Sequence, residues 1–317
     1  MSDYFLGVDG GQSGTTALIG DERGRIVGWA TGGPCNHVAA PEARAKFLRV
    51  IGACVSQAAE RAAIGPHPHF KAACFGMSGG PDDKAGLLTE LIDAERRVVT
   101  HDAKIAWAGA TEGEPGIIVI AGTGSIAYGE NAHGETARAG GWGYVFGDEG
   151  GGFDIARQAV RAAMREQEGW GPRTALTPAL VEFAGASDPN EALHRFYTAD
   201  WPRSRVAELA MTVDRLAEEG DPVAGDILRQ SAQQLALLAA AVRRQLWSDV
   251  AVNADPIRIA GIGGVFQSQR LLDRFRTLVS LAGNVDPAPP RHSPATGALI
   301  LAYRASGLRD IKVRDAS

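Results

Sequence analysis

Two carboxylates and two glycine-rich turns are the residues of this chain best suited to chemistry. Asp9 and Asp102 each stand at the end of an apolar run that reads as a strand. The turns lie in Phe5-Leu-Gly-Val-Asp-Gly-Gly-Gln-Ser-Gly-Thr-Thr16 and Ile117-Ile-Val-Ile-Ala-Gly-Thr-Gly-Ser125. Glycine has no Cβ, so backbone N–H groups can come close to an anion, and the hydroxyls of Ser13, Thr15, Thr123 and Ser125 offer further donors. The chemistry suggested is phosphate handling. Either turn alone is also ordinary for a hairpin that binds nothing.

Repetition separates the two readings. The chain turns again at Asp21-Glu-Arg-Gly24 and at Asn131-Ala-His-Gly134, and a further strand pattern follows each time. Later come two strand patterns that end in glycines, Ala72-Ala-Cys-Phe-Gly-Met-Ser-Gly-Gly80 and Ile257-Arg-Ile-Ala-Gly-Ile-Gly-Gly264. Four matched landmarks in one order imply two halves of one architecture with a small-molecule cleft between them.

Each candidate has a plain alternative. Asp9 could hold a magnesium ion through water, or simply accept from turn amides. Asp102 opens the helical pattern Ala103-Lys-Ile-Ala-Trp-Ala-Gly109, so it is either a helix cap or a general base toward a substrate hydroxyl. The segment Gly140-Gly-Trp-Gly-Tyr-Val-Phe-Gly-Asp-Glu-Gly-Gly-Gly152 sets many glycines around one tryptophan and two acids, which suits a polyol: a flat face and hydroxyl acceptors. The helix expected from Phe153 to Glu166 could present its N-terminus to an anion. Asn36-His37 offers an amide for hydroxyls, or a turn residue.

The elements that must position these residues alternate in the first half. Strands fall within 3–31, a helix runs from Pro41 to about Ala63, a strand covers 71–76, a helix starts at Asp82, and a strand spans Arg97 to Thr100. From Gly150 to Ser248 the pattern is mostly helical, with Arg173 to Asp200 interrupted by Pro178 and Pro189 and one long helix from Pro222 to Leu246. A closing helix is expected from Pro294 to Ser306.

At 317 residues and 45% hydrophobic content the chain can build two soluble cores. A net charge of -5 with no dense basic stripe argues against a nucleic-acid partner. No apolar stretch is long enough to cross a bilayer and Met1 to Leu6 is no leader, which points to the cytoplasm and away from membranes. Cys35, Cys54 and Cys74 are too scattered for a disulfide framework or a metal site.

Thr100-His-Asp102, Ala121-Gly-Thr-Gly-Ser125, Gly140-Gly-Trp-Gly143 and Gly147-Asp-Glu-Gly150, in this order, resemble the actin-like sugar kinase and heat-shock ATPase superfamily. Within it the chain is similar to the BadF/BadG/BcrA/BcrD group that contains N-acetylglucosamine kinase. The resemblance implies an α/β fold of two actin-like, ribonuclease H-like domains with a nucleotide and sugar cleft between them. The domains would span 1–113, joined by the closing helix at about 295–317, and 114–294, which carries a helical insertion. It implies that Asp9, Gly10, Gly11, Gln12, Ser13, Gly14 and Thr15, with Gly122, Thr123 and Gly124, hold the ATP phosphates, with Mg2+ near Asp9 through water. Gly261, Gly263 and Gly264 would lie against the nucleoside, and Asp102 would be the base. Asn36, Ser78, Ser125, Gly141, Trp142, Gly143 and Asp148 would line the pocket of an amino sugar, most simply N-acetylglucosamine accepting phosphate at its 6-hydroxyl. Glucosamine, muramic derivatives and a regulatory ATPase activity without sugar stay open, as does a homodimer.

The chain departs from the pattern in places. The first turn reads Gly-Gly-Gln-Ser-Gly where N-acetylglucosamine kinases resemble Gly-Gly-Gly-Thr, which shifts its register or substitutes Ser13. Ala139 stands where animal enzymes similar to it have cysteine. The cluster-binding cysteines of the activator ATPases in this group are missing, and the Gly-Gly-Trp-Gly loop leans toward an N-acetylated sugar.

Overall fold

The computed structural model describes residues 3–11, 14–35, 41–78, 84–247 and 255–314. The chain begins with β1 (Tyr4–Gly10), β2 (Thr15–Asp21) and β3 (Ile26–Gly32). Next come α1 (Pro41–Arg61), β4 (Phe70–Met77), α2 (Ala85–Leu91), β5 (Ala94–His101) and α3 (Asp102–Thr111). A second set of strands follows as β6 (Gly116–Ala121), β7 (Ser125–Glu130) and β8 (Thr136–Gly140). Six helices come after it: α4 (Gly152–Gln167), α5 (Leu176–Ala184), α6 (Pro189–Phe196), α7 (Arg203–Ala207), α8 (Leu209–Glu218) and α9 (Pro222–Leu246). The last described elements are β9 (Ile257–Ile262), α10 (Gln269–Ser280), β10 (Val285–Pro287) and α11 (Pro294–Ala305).

The strands form two five-stranded sheets, ordered β3-β2-β1-β4-β5 and β8-β7-β6-β9-β10. In each, the first three strands are antiparallel neighbours and the last two join in parallel. The duplication reaches individual hydrogen bonds. Asp21 Oδ1 accepts from the N–H groups of Arg23 and Arg25, at 2.9 and 3.0 Å. Asn131 Oδ1 accepts from His133 and Glu135, both at 3.0 Å. Asp and Asn stabilise such turns because their short side chains reach the backbone two residues on. β4 is buried along nearly its whole length, as a parallel strand covered on both faces must be, and this explains its unbroken apolar run.

The chain clusters into two compact units, residues 1–114 with 290–317, and residues 115–289. In the first unit α11 lies against β1 and α3. Tyr303 donates its hydroxyl to the Asp21 carbonyl at 2.6 Å, above the place where Gly20 leaves room for its ring. The second unit buries one apolar cluster that joins its sheet to α4, α5, α8 and α9.

Two expectations need correction. Pro178 does not interrupt a helix but sits in the first turn of α5, where no intrahelical partner needs its missing N–H. Helix α2 starts at Ala85 rather than Asp82, which itself lies outside the described residues.

Candidate active site

In the first unit the parallel pairing aligns three strand ends. Asp9 is level with Gly76, which is level with Thr100, and Gly10, Met77 and His101 follow in the next register. Asp9, Ser78 and Asp102 are thereby brought to the carboxyl edge of one sheet, where ligands of α/β proteins usually bind. Ser78 ties this edge together. Its N–H donates to the Gly10 carbonyl at 3.1 Å and its hydroxyl donates to Asp102 Oδ2 at 2.8 Å.

Asp102 is not the cap of α3. That place belongs to His101, whose Nδ1 accepts from the Lys104 N–H at 3.2 Å. Asp102 is the first helical residue; its Oδ1 accepts from the Ala103 N–H at 2.8 Å and its side chain remains exposed. An exposed carboxylate held by two donors is oriented yet able to take a proton, which a general base requires.

Asp9 is half-buried, and desolvation together with the negative charge of Asp102 raises its pKa from 3.8 to about 6. Because the folded value lies above the unfolded one, ionised Asp9 costs stability, a cost absent near pH 4 and fully present above about pH 7. Asp9→Asn should therefore raise the melting temperature of the ligand-free protein above about pH 7, with the gain vanishing toward pH 4. Thermal unfolding across pH checks this; a gain that grows toward acid would contradict it.

The first glycine turn is closed by the Gly11 N–H on the Gly14 carbonyl at 2.8 Å. Thr15, expected to offer its hydroxyl to phosphate, instead donates it to the Gly33 carbonyl at 2.8 Å and touches Cys35 Sγ. Gln12, Ser13 and Asn36 lie outside the described residues.

In the second unit the glycine turn and the Gly140–Gly152 loop form one piece. Gly122 closes on Gly124 at 3.0 Å, and the N–H groups of Gly152 and Phe153 donate to the carbonyls of Gly122 and Thr123, at 2.7 and 3.0 Å. Those bonds use N–H groups that the first turn of α4 was expected to offer an anion, so that expectation is corrected. Ser125 donates its hydroxyl to the Glu149 carbonyl at 2.7 Å, so it too is committed within the protein. Asp148 is buried, with φ +64°; its carboxylate accepts from the Ser125 N–H at 3.4 Å and lies 3.6 Å from the Arg203 guanidinium. These are long contacts, and they leave acceptor capacity on both oxygens.

The loop ahead of Asp148 is exposed. Gly141 and Gly143 take φ values of +72° and +80° on either side of Trp142, a backbone that residues with Cβ rarely adopt. Trp142 is 67% exposed, with the Arg138 guanidinium 5.0 Å from its ring centre.

Next to the second turn is a cavity of 510 Å³ lined by Gly122, Thr123, Gly264, Glu208, Met211 and Asp214, among others. Of the three glycines expected against a nucleoside, only Gly264 lines it. At Gly261 a Cβ would meet the Phe266 ring, and at Gly263 it would meet the Ala121 carbonyl, so close packing is reason enough for glycine at both. Met211 and Asp214 of α8, and Glu208 just ahead of that helix, went unread because one position per helical turn leaves no local motif. Arg203 was missed for the same reason.

A model of the BadF/BadG/BcrA/BcrD ATPase family matches residues 6–302. The N-acetylmuramic acid/N-acetylglucosamine kinase of Clostridium acetobutylicum is 30% identical over 94% of this chain and 98% of its own. The N-acetyl-D-glucosamine kinase of Dictyostelium discoideum is 27% identical over 90% of this chain and 95% of its own. A crystal structure from Chromobacterium violaceum, provisionally named an N-acetylglucosamine kinase, superposes with a TM-score of 0.74 at 27% identity, covering 95% of this chain and 99% of that one. Two like-ordered sheets, an oriented carboxylate at one sheet edge and a matching family model over nearly the whole length lead to one conclusion: the chain belongs to the BadF/BadG/BcrA/BcrD ATPase family.

Proposed function

We propose that this protein is an ATP-dependent amino-sugar kinase whose substrate is N-acetylglucosamine, phosphorylated at the 6-hydroxyl. The observation that carries the reading is Asp102, an exposed carboxylate oriented by Ser78 and by its own helix at the end of β5. In this role Asp102 accepts the proton of the sugar hydroxyl as the phosphoryl group is transferred, while alignment and charge neutralisation supply most of the acceleration. The backbone amides of the two glycine turns bind phosphate oxygens, and the 510 Å³ cavity beside Gly122 receives the nucleoside. Asp148 accepts from sugar hydroxyls and Trp142 offers its ring as a platform.

Magnesium fits this arrangement. Among the described residues no group of three or more His, Cys, Asp or Glu could enclose a metal ion. Magnesium needs no such cage; it keeps several waters and is held by one or two carboxylates and the substrate phosphates. Asp9, raised to about 6 beside Asp102, is a carboxylate in want of a cation. When bound, the ion would neutralise phosphate charge during transfer.

A cytoplasmic homodimer that binds no nucleic acid belongs to the same proposal; among the described residues no helix is long and apolar enough to cross a membrane. The C. acetobutylicum relative, named for both sugars, supports N-acetylmuramic acid as a second substrate. A coupled ADP-release assay across N-acetylglucosamine, glucosamine and N-acetylmuramic acid tests the reading. ADP release is expected to depend on sugar and to be fastest with N-acetylglucosamine. ATP hydrolysis indifferent to every sugar would replace the kinase by a regulatory ATPase.

A further inference from the structure

The first unit holds a buried charged group to which the proposed chemistry gives no role. Lys84 is 1% exposed and ranks among the largest fully buried side chains, a place lysine almost never takes unless it is paired. An ammonium taken out of water is kept only where it is hydrogen-bonded or paired. Its Nζ donates to the Ser78 carbonyl at 3.2 Å.

Helix α2 gives no reason for a lysine. Lys84 occupies its N-cap position and makes no side-chain cap there, while a cation at that end opposes the helix dipole. Leu87 and Leu88 anchor the helix to the core without it.

Ser78 is thus held at three points. Its N–H is bound to Gly10 beside the first glycine turn, its hydroxyl to Asp102, and its carbonyl to Lys84. Tethering the amide and the carbonyl fixes where the Ser78 Cα and Cβ sit, and so keeps the hydroxyl within bonding reach of the base. We propose that Lys84 is a positioning residue for phosphoryl transfer: it fixes the Ser78 backbone, and through the Ser78 hydroxyl it fixes Asp102. The proposal rests on Asp102 being the base.

The test is Lys84→Met in the full chain, followed by steady-state kinetics and thermal unfolding. Methionine keeps the volume and removes the desolvation cost of the buried ammonium, which offsets the bond lost at the Ser78 carbonyl, so the melting temperature should stay within a few degrees of the parent. The expected kinetic result is a kcat lower by about 10- to 100-fold, with KM for ATP changed by less than about threefold. Combined with Ser78→Ala, the double variant should be no slower than the slower single variant, because the two act through one tether. A kcat within about twofold of the parent, or additive losses in the double variant, overturns the proposal. So does a kcat loss accompanied by a matching fall in melting temperature, which would make Lys84 a purely structural residue. Should Lys84→Met not fold, Lys84→Gln is read by the same criteria, and failure of both to fold also overturns it. Asp102→Asn in the same assay separates the two levels. Normal turnover there removes the base assignment itself, whereas a crippled Asp102→Asn beside an unaffected Lys84→Met removes only the positioning role.

Discussion

Asp102→Asn lowers turnover of sugar phosphorylation by about 10²-fold or more, the usual loss for a general base. The substitution is close to isosteric, and its amide oxygen can still accept from either the Ser78 hydroxyl or the Ala103 N–H, so β5 and α3 keep their junction. What disappears is a group able to take up a proton. Nucleotide affinity should survive, because the cavity assigned to the nucleoside is lined by residues of the second unit alone. The measurement is kcat beside the dissociation constant of a non-hydrolysable ATP analogue. Near-normal phosphorylation would sink the assignment of Asp102.

The second large effect is on stability. Helices α3 and α11 meet through glycine, and a Cβ at Gly297 would press on the Ile105 carbonyl oxygen and the Gly109 amide, with the Gly109 Cα only 2.9 Å away. All of these are backbone atoms, so no side chain can turn aside. Relief requires moving a helix whose Ala298, Leu299, Ala302 and Tyr303 are buried. Gly297→Ala should cost about 3 kcal/mol or more, at the upper end of overpacking effects. Gly225→Ala is the control: it lies in α9 with open space where its Cβ would go, and helix propensity predicts a gain of up to about 1 kcal/mol. Denaturant unfolding of the ligand-free protein checks both, and equal effects at the two positions would refute the close-packing argument. Since Asp102 is the first residue of α3, a displaced α3 should also depress kcat.

Much of the architecture was legible because it is written locally. The paired turns at Asp21 and Asn131 announce themselves by residue type, and the apolar runs of β1, β4, β6 and β9 are short enough to exclude helix. Helix α9 was readable end to end, since Pro222 opens it and no glycine or proline follows Gly225 inside it. The site was legible only in outline. Thr15 and Ser125 look alike as phosphate donors, yet each gives its hydroxyl to a carbonyl 18 or 24 residues away, a choice made by tertiary packing. Gly261 and Gly263 look like Gly264 in sequence, but only at the first two do the Phe266 ring and the Ala121 carbonyl leave no room for a Cβ. Lys84 had one local sign, a cation at the wrong end of a helix, and its burial could come only from the fold.

The division of the chain has a consequence for its synthesis. Residues 115–289 form the second unit without interruption, whereas the first unit needs α11, made some 180 residues after α3. On the ribosome the usual order, N-terminal domain first, is therefore reversed. The second unit can complete its core while the earlier sheet still lacks the helix that covers β1. Until Pro294–Ala305 emerges, that apolar sheet face is exposed to chaperones and proteases, and a nascent chain stalled short of α11 would carry a finished second unit beside an unfinished first.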